Sequence, residues 1–326
     1  MKQTINQNAT NDIQTFINTF KKKGKLLYKW HAKGIKKIAW TISPSYRDFV
    51  NKLLSNSKLK IERRIGGCCK SECGQLGSLA KRVENKIEID YDDGETFCHE
   101  LGHSVDLMFG HACSLSYSVL VSGDKTLFDV FNEEFESHKE ELHELLMNEY
   151  RFNIDSNIYE GAYDVFVNNM PKYLELSKTT DKKKRKTLQN ELYKCGFVEV
   201  YYQIKTKKCF KVLEQKYIPI MDALSSKYDI TGMYLTGHGL DYYSISNRLP
   251  SQEFFANVFA DKIMGNHTRY DNLIKLMPRS FDAFERLFFL VYDRIQNNRR
   301  FTDLKLREFH RSYMSVGRIG DEKEAN

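Results

Sequence analysis

Between residues 86 and 91 the chain alternates apolar and polar positions. Ile87, Ile89 and Tyr91 fall on one face and charged residues on the other, which predicts a half-buried strand from Lys86 to Tyr91. A short turn follows, in which Asp93 is suited to cap the start of a helix. The pattern therefore predicts a strand that leads directly into a helix.

Apolar residues then recur every three or four positions, which is the spacing of one helix face. Gly110 is a suitable helix end. The predicted helix buries this stripe and leaves its other side free for chemistry. The stripe consists of Phe97, Leu101, Val105 and Met108.

The free side of that helix carries the motif H-E-x-x-H, formed by His99, Glu100 and His103. Residues four apart share a helix face, so both imidazoles can reach one metal ion, and the glutamate can take a proton from a water that the metal activates. With nine histidines in the chain, about 0.02 such matches are expected by chance. The motif predicts a zinc site.

A catalytic zinc usually has three protein ligands, and the residues offer two candidates for the third. Asp106 lies one turn beyond His103 on the same helix. Glu253 lies on a second predicted helix, which opens near Pro250 and places Asn257 on the same face as Glu253. The spacing alone leaves both carboxylates open.

The two motifs together resemble a known family. The segment from His99 to Asp106, followed by Glu253-Phe254-Phe255-Ala256, is similar to the peptidase domain of anthrax lethal factor and its relatives, whose H-E-x-G-H-x-x-D helix is followed by an E-F-F-A helix. Further motifs are Asp222-Ala-Leu-Ser, Gly237-His-Gly followed by paired aromatic residues, and Leu276-Met-Pro. Together with the E-x-F-A-N helix, they resemble the metallopeptidase-like domain at the end of some phage minor head proteins. The resemblance covers roughly residues 63 to 112 and 220 to 292.

The resemblance implies that Glu253 is the third zinc ligand and that Asp106 is a hydrogen-bonded neighbour of a ligand. The family also has a tyrosine before the ligand glutamate, which supports the transition state. Tyr243 is the first candidate here, Tyr242 the alternative, and His238 a further group that could bind an oxyanion.

The expected fold is α+β and mostly helical, with a zincin-like core, a small sheet, an edge strand over the H-E-x-x-H helix, and a large helical insertion. A substrate peptide would add antiparallel to that edge strand. The predicted regions are an N-terminal helical part (1–62), the first half of the core (63–112), the insertion (113–230), the second half of the core (231–311) and a loose tail (312–326).

The composition of the chain limits the kinds of partner and the cellular location that are expected for it. The net charge is +7, and its basic runs, Lys21–Lys23 and Lys182–Lys186, are typical of solvated surface, so nucleic acid is not an expected partner. No apolar run is long enough to span a membrane.

The expected location follows from two observations. No ordinary secretory signal is visible, and the seven cysteines suit a reducing compartment. These predict a cytoplasmic location, or a virion or host cell if the protein is a phage or effector protein. Cys68, Cys69 and Cys73 lack a fourth ligand for a structural zinc.

These observations predict a zinc-dependent endopeptidase with one zinc ion per chain and a protein or peptide substrate. His99, His103 and Glu253 would hold the metal, and Glu100 would act as general base. Two other hypotheses remain: a phage structural or morphogenesis protein that keeps a zinc site for folding, and a host-directed metalloprotease toxin or effector. The insertion could bind a partner protein.

Overall fold

The computed structural model describes residues 2–23, 25–57, 59–63, 70–72, 86–89, 94–109, 114–228, 238 and 240–297. Most of these residues are helical, and the strands are few and short. The predicted cap Asp93, the predicted helix end Gly110, the cysteines at 68, 69 and 73, and the predicted tail lie outside this range.

Fourteen helices lie in the described part of the chain, in the following order. They are α1 Lys2–Lys23, α2 Lys25–Thr41, α3 Pro44–Asn56, α4 Gly94–Phe109, α5 Leu115–Ser118, α6 Leu127–Asn157, α7 Ala162–Lys178, α8 Lys182–Lys194, α9 Phe197–Thr206, α10 Cys209–Ser225, α11 Leu240–Tyr243, α12 Leu249–Met264, α13 His267–Leu276 and α14 Pro278–Gln296. None of these helices is long and apolar enough to cross a membrane.

The chain forms two compact units. The first contains Met1–Glu134, Ser251–Tyr270 and Met277–Asn326, and the second contains Phe135–Pro250 and Asp271–Leu276. The predicted boundaries of the insertion, at residues 113 and 230, stay predictions. Both H-E-x-x-H histidines and Glu253 belong to the first unit, so their geometry can be described within one compact body.

A three-stranded mixed sheet precedes the H-E-x-x-H helix. Its strands are β1 Lys60–Arg63, β2 Lys70–Glu72 and β3 Lys86–Ile89, in the order β1-β3-β2. β3 pairs parallel with β1 and antiparallel with β2. The prediction that the strand beginning at Lys86 is an edge strand is therefore wrong. Alternation along a strand shows which face is buried, but it carries no information about pairing on the two sides.

A second correction concerns the predicted helical insertion. Two short strands, β4 Leu120–Ser122 and β5 Lys125–Thr126, form an antiparallel hairpin there. Gly123, with a φ of 59°, lies in the turn between them, where a left-handed conformation favours glycine. From α6 to α10 the described part of this region is mainly helical, as predicted.

Helix α4 packs through the stripe that its spacing predicted. Phe97, Leu101 and Val105 are completely buried. The ring of Phe97 contacts the rings of Phe16 and Phe20 from α1, with centroids 6.4 and 5.4 Å apart. Burial of this stripe fixes the rotation of α4 about its axis.

Helix α12 is buried on nearly all sides. Four of its side chains have no exposed surface: Phe254, Phe255, Val258 and Phe259. Pro250 lies in its first turn. A helix that is apolar on every side belongs in the interior of a domain. A polar side chain on α12, such as Glu253, therefore needs a partner from a neighbouring helix.

Candidate metal centre

The two histidines of the motif face each other on α4. Their rings are perpendicular, with centroids 4.7 Å apart, and the two Nε2 atoms lie 3.1 Å apart. Both side chains remain partly exposed, at 17% for His99 and 16% for His103. The i, i+4 spacing thus brings two ring nitrogens to one point at the protein surface.

Glu253 reaches the same point from α12. Its Oε2 atom lies 3.2 Å from Nε2 of His99 and 3.2 Å from Nε2 of His103, and the side chain is 1% exposed. His99, His103 and Glu253, called the triad below, form a group that could hold a metal ion. Of the two carboxylates that the sequence left open, the structure brings Glu253 to the histidines.

The two histidines keep the carboxylate of the triad ionised. Burial alone would raise the pKa of Glu253, but the imidazoles of His103 and His99 outweigh it and hold the pKa well below its usual range. Glu253 is therefore an ionised carboxylate with little access to water. Two ring nitrogens and one carboxylate oxygen that converge in this way need a proton or a metal between them.

Asn257 contacts the ring nitrogen of His99 that does not face Glu253. Nδ1 of His99 lies 2.8 Å from Oδ1 of Asn257, one turn after Glu253 on α12. When the amide oxygen accepts this hydrogen bond, the proton of the neutral ring is on Nδ1 and the lone pair is on Nε2. Asn257 thereby selects the tautomer in which Nε2 can bind a metal.

Asp106 has a different partner from the one expected. Its Oδ1 accepts a hydrogen bond from the backbone N–H of Ser116 at 2.7 Å, and its Oδ2 accepts one from the Ser116 hydroxyl at 3.0 Å. The predicted hydrogen bond to a ligand histidine is therefore wrong. Burial raises the pKa of Asp106 to about 6, although both hydrogen bonds oppose the increase. Asp106 fastens α4 to the start of α5.

Glu100, the predicted general base, follows His99 on α4 and is 7% exposed. Within the described part of the chain its carboxylate has no hydrogen-bond or ion-pair partner. A buried carboxylate with no protein partner keeps its acceptor capacity for water or substrate.

The predicted transition-state residues lie in the second unit, around Asp222. The hydroxyl of Tyr243 donates a hydrogen bond to Oδ1 of Asp222 at 2.8 Å. The backbone N–H of His238 donates a second one to the same oxygen at 3.3 Å. The His238 ring stacks on Tyr242 with centroids 4.1 Å apart. Asp222 is 4% exposed and unites these groups. The catalytic roles of Tyr243 and His238 stay predictions.

Sequence reasoning missed a buried ion-pair network at the far end of α12. Nη1 of Arg269 lies 2.7 Å from Oδ1 of Asp261 and 2.6 Å from Oε1 of Glu95. Burial raises the pKa of Asp261 to about 7, although the Arg269 guanidinium acts in the opposite direction. A signal was present, because Asp261 lies eight residues after Glu253 and shares its helix face.

Comparison with known proteins gives no match among protein-family models, curated proteins or solved structures.

Proposed function

We propose that this protein is a zinc-dependent endopeptidase in which the triad holds the metal. The observation that carries the proposal is the convergence of His99, His103 and Glu253, whose ligand atoms lie 3.1–3.2 Å from one another. Zinc binds such atoms at about 2.0–2.2 Å in a tetrahedron, which places neighbouring ligand atoms about 3.3–3.6 Å apart. The donor set, two imidazoles and one carboxylate, is that of a catalytic zinc site with a fourth position left open.

A zinc ion held by this set would supply Lewis-acid chemistry, because it acidifies a water and polarises a carbonyl group. Glu100 is the general base in the proposal. Its carboxylate accepts a proton from the attacking water and delivers it to the nitrogen of the leaving amine. Asn257 keeps the proton of His99 on Nδ1 throughout.

In this proposal, Tyr243 and His238 donate hydrogen bonds to the oxyanion that develops on the scissile carbonyl. Tyr243 donates its hydroxyl proton to Asp222, so it would have to exchange this acceptor for the oxyanion when substrate is bound. His238 stacks against Tyr242, and this contact limits the motion of its ring.

The decisive experiment combines metal analysis with a cleavage assay. Purified protein should contain about one zinc per chain, and both His99→Ala and His103→Ala should lose most of it. The zinc-loaded protein should cleave members of a peptide library. Glu100→Gln should keep the zinc and cleave about 10²- to 10⁴-fold more slowly, because the nearly isosteric amide has no basicity.

Each outcome has a clear meaning. Full zinc retention in both histidine variants would contradict the metal site. Zinc that depends on the histidines, together with no cleavage of any peptide, would favour a structural zinc protein over an enzyme. Equal cleavage by the wild-type protein and Glu100→Gln would remove Glu100 as the base.

A further inference from the structure

Polar contacts between α4 and α12 follow one another at intervals of one helical turn. On α12 the contributing residues are Glu253, Asn257 and Asp261, each four positions after the last. On α4 their partners come in the reverse order, with His103 and His99 first and Glu95 last. We call this series the polar ladder, and its first two rungs are the triad and the hydrogen bond from His99 to Asn257.

The third rung differs because both helices contribute a carboxylate to it. Arg269, from α13, lies between them, and one nitrogen atom, Nη1, contacts Asp261 at 2.7 Å and Glu95 at 2.6 Å. Arg269 is 4% exposed and Asp261 is completely buried, whereas Glu95 is 47% exposed. The link therefore extends from the interior to the surface.

Two facing carboxylates would repel each other without the guanidinium, and the buried Asp261 would also lose the charge of Arg269 that compensates its own. Arg269 converts this repulsion into a connection between α4 and α12. Asp261 also interacts electrostatically with His99, the histidine nearest to this end of the ladder. A change at Arg269 can thus alter the position of His99, because His99 also forms the second rung with Asn257.

We propose that Arg269 is a positioning residue of the metal site: by joining Glu95 to Asp261 it sets the separation of α4 and α12 at the end where His99 lies. This inference rests on the proposed zinc site. Arg269 lies outside the H-E-x-x-H and E-F-F-A segments, yet it would hold the two helices that carry the metal ligands at the required separation.

The test measures zinc affinity of the full-length protein by competition with a chromophoric chelator. Arg269→Met removes the charge and keeps much of the side-chain volume. It should weaken zinc binding about 10- to 100-fold, the usual effect of losing a group that orients metal ligands. Arg269→Lys should recover most of the affinity, since a single nitrogen makes both contacts.

Lys262→Met is the matched control. Lys262 lies on α12 as well, but its ion-pair partner is Glu285 of α14, at 2.6 Å, and not a residue of the ladder. Its loss should lower the melting temperature of the metal-free protein while zinc affinity stays unchanged. In the Co²⁺-loaded protein, the visible absorption spectrum should change for Arg269→Met and remain that of the wild type for Lys262→Met.

Unchanged zinc affinity and an unchanged Co²⁺ spectrum in Arg269→Met would overturn this inference alone. A wild-type protein that binds no zinc would overturn the proposed function, and the inference with it. If Arg269→Met does not fold, Glu95→Gln takes its place, because Glu95 is half-exposed. That variant should weaken zinc binding severalfold, and wild-type affinity there would refute the role of the third rung.

Discussion

Gly102 lies in direct contact with the backbone of Ala256. A Cβ atom at Gly102 would come within 2.8 Å of the Ala256 Cα and 2.9 Å of its carbonyl oxygen. These are contacts with main-chain atoms, so rotation of a side chain cannot relieve them. The middle glycine of the motif is therefore what allows α4 and α12 to approach closely enough for Glu253 to meet the histidines.

Gly102→Ala should push the two helices apart. We expect a loss of about 1–3 kcal/mol in the free energy of unfolding, as for other overpacked sites, together with a large loss of zinc affinity. Chemical denaturation and a chelator competition assay measure the two effects. Gly123→Ala is the control. Its left-handed φ makes alanine costly as well, but no atom of the described residues lies within 4 Å of the new Cβ, so zinc binding should persist. Normal zinc affinity in Gly102→Ala would contradict the argument.

The two acidic candidates for the third ligand should differ sharply. Glu253→Ala removes an atom that lies 3.2 Å from both histidine Nε2 atoms and should reduce zinc affinity by more than about 100-fold. Asp106→Asn should have a much smaller effect, because its partners are the amide and hydroxyl of Ser116 and not a histidine. Titration of both variants with zinc tests this, and the reverse order of affinities would exclude Glu253 as the ligand.

Asn257 offers a separate test of tautomer control. Asn257→Leu removes the acceptor of the Nδ1 hydrogen bond from His99 and should weaken zinc binding about 10- to 100-fold. Asn257→Asp keeps an acceptor oxygen at the same place, and its affinity should remain close to that of the wild type. NMR of the histidine ring nitrogens in the metal-free protein should show Nδ1 protonation of His99 in the wild type and lose it in Asn257→Leu.

Asp106 should make stability depend on pH. Burial raises its pKa from 3.8 to about 6, so between about pH 4 and pH 6 the folded protein binds more protons at this group than the unfolded chain does. Stability must therefore fall as the pH rises through this window, by up to about 3 kcal/mol. Urea denaturation of metal-free wild type and Asp106→Asn at several pH values isolates the effect, since all other groups are shared. Parallel curves would contradict it.

Glu134 should be important for the stability of the first unit. Its buried carboxylate accepts hydrogen bonds from the backbone N–H groups of Arg279 and Ser280 at 2.9 and 2.6 Å, at the start of α14. Glu134→Ala leaves both donors without this acceptor and should cost about 1–3 kcal/mol. The neighbouring Glu133, which forms surface ion pairs with Lys125 and Arg279, is the control, and Glu133→Ala should change the melting temperature little.

Much of the centre could be predicted from local patterns. The apolar stripe of α4 determined which side of the helix is buried, and the i, i+4 spacing then placed His99 and His103 together. Glu253 required a second motif far along the chain, and the structure brings it to the same point. The rotation of α4 and the pairing of His99 with His103 could be predicted because both depend on the periodicity of a single helix. The choice of Glu253 over Asp106 came from the family resemblance and not from helix periodicity.

The contacts that were missed depend on chain segments with no pattern of their own. Ser116 meets Asp106 across ten residues of sequence, and no spacing rule connects them. Arg269 comes from α13, a helix for which the sequence showed no chemistry. The flanks of β3 are filled by β1 and β2, and such pairing is decided by the register of distant strands.

The position of β3 between two other strands also limits how a peptide can be oriented. Among the described residues, the open margins of this sheet belong to β1 and β2. A peptide added antiparallel to β1 would also run antiparallel to β3, because β1 and β3 are parallel. A peptide added antiparallel to β2 would run in the opposite direction, with its amino and carboxyl ends exchanged relative to α4. The polarity of a bound, uncleaved peptide would therefore identify the margin that receives it.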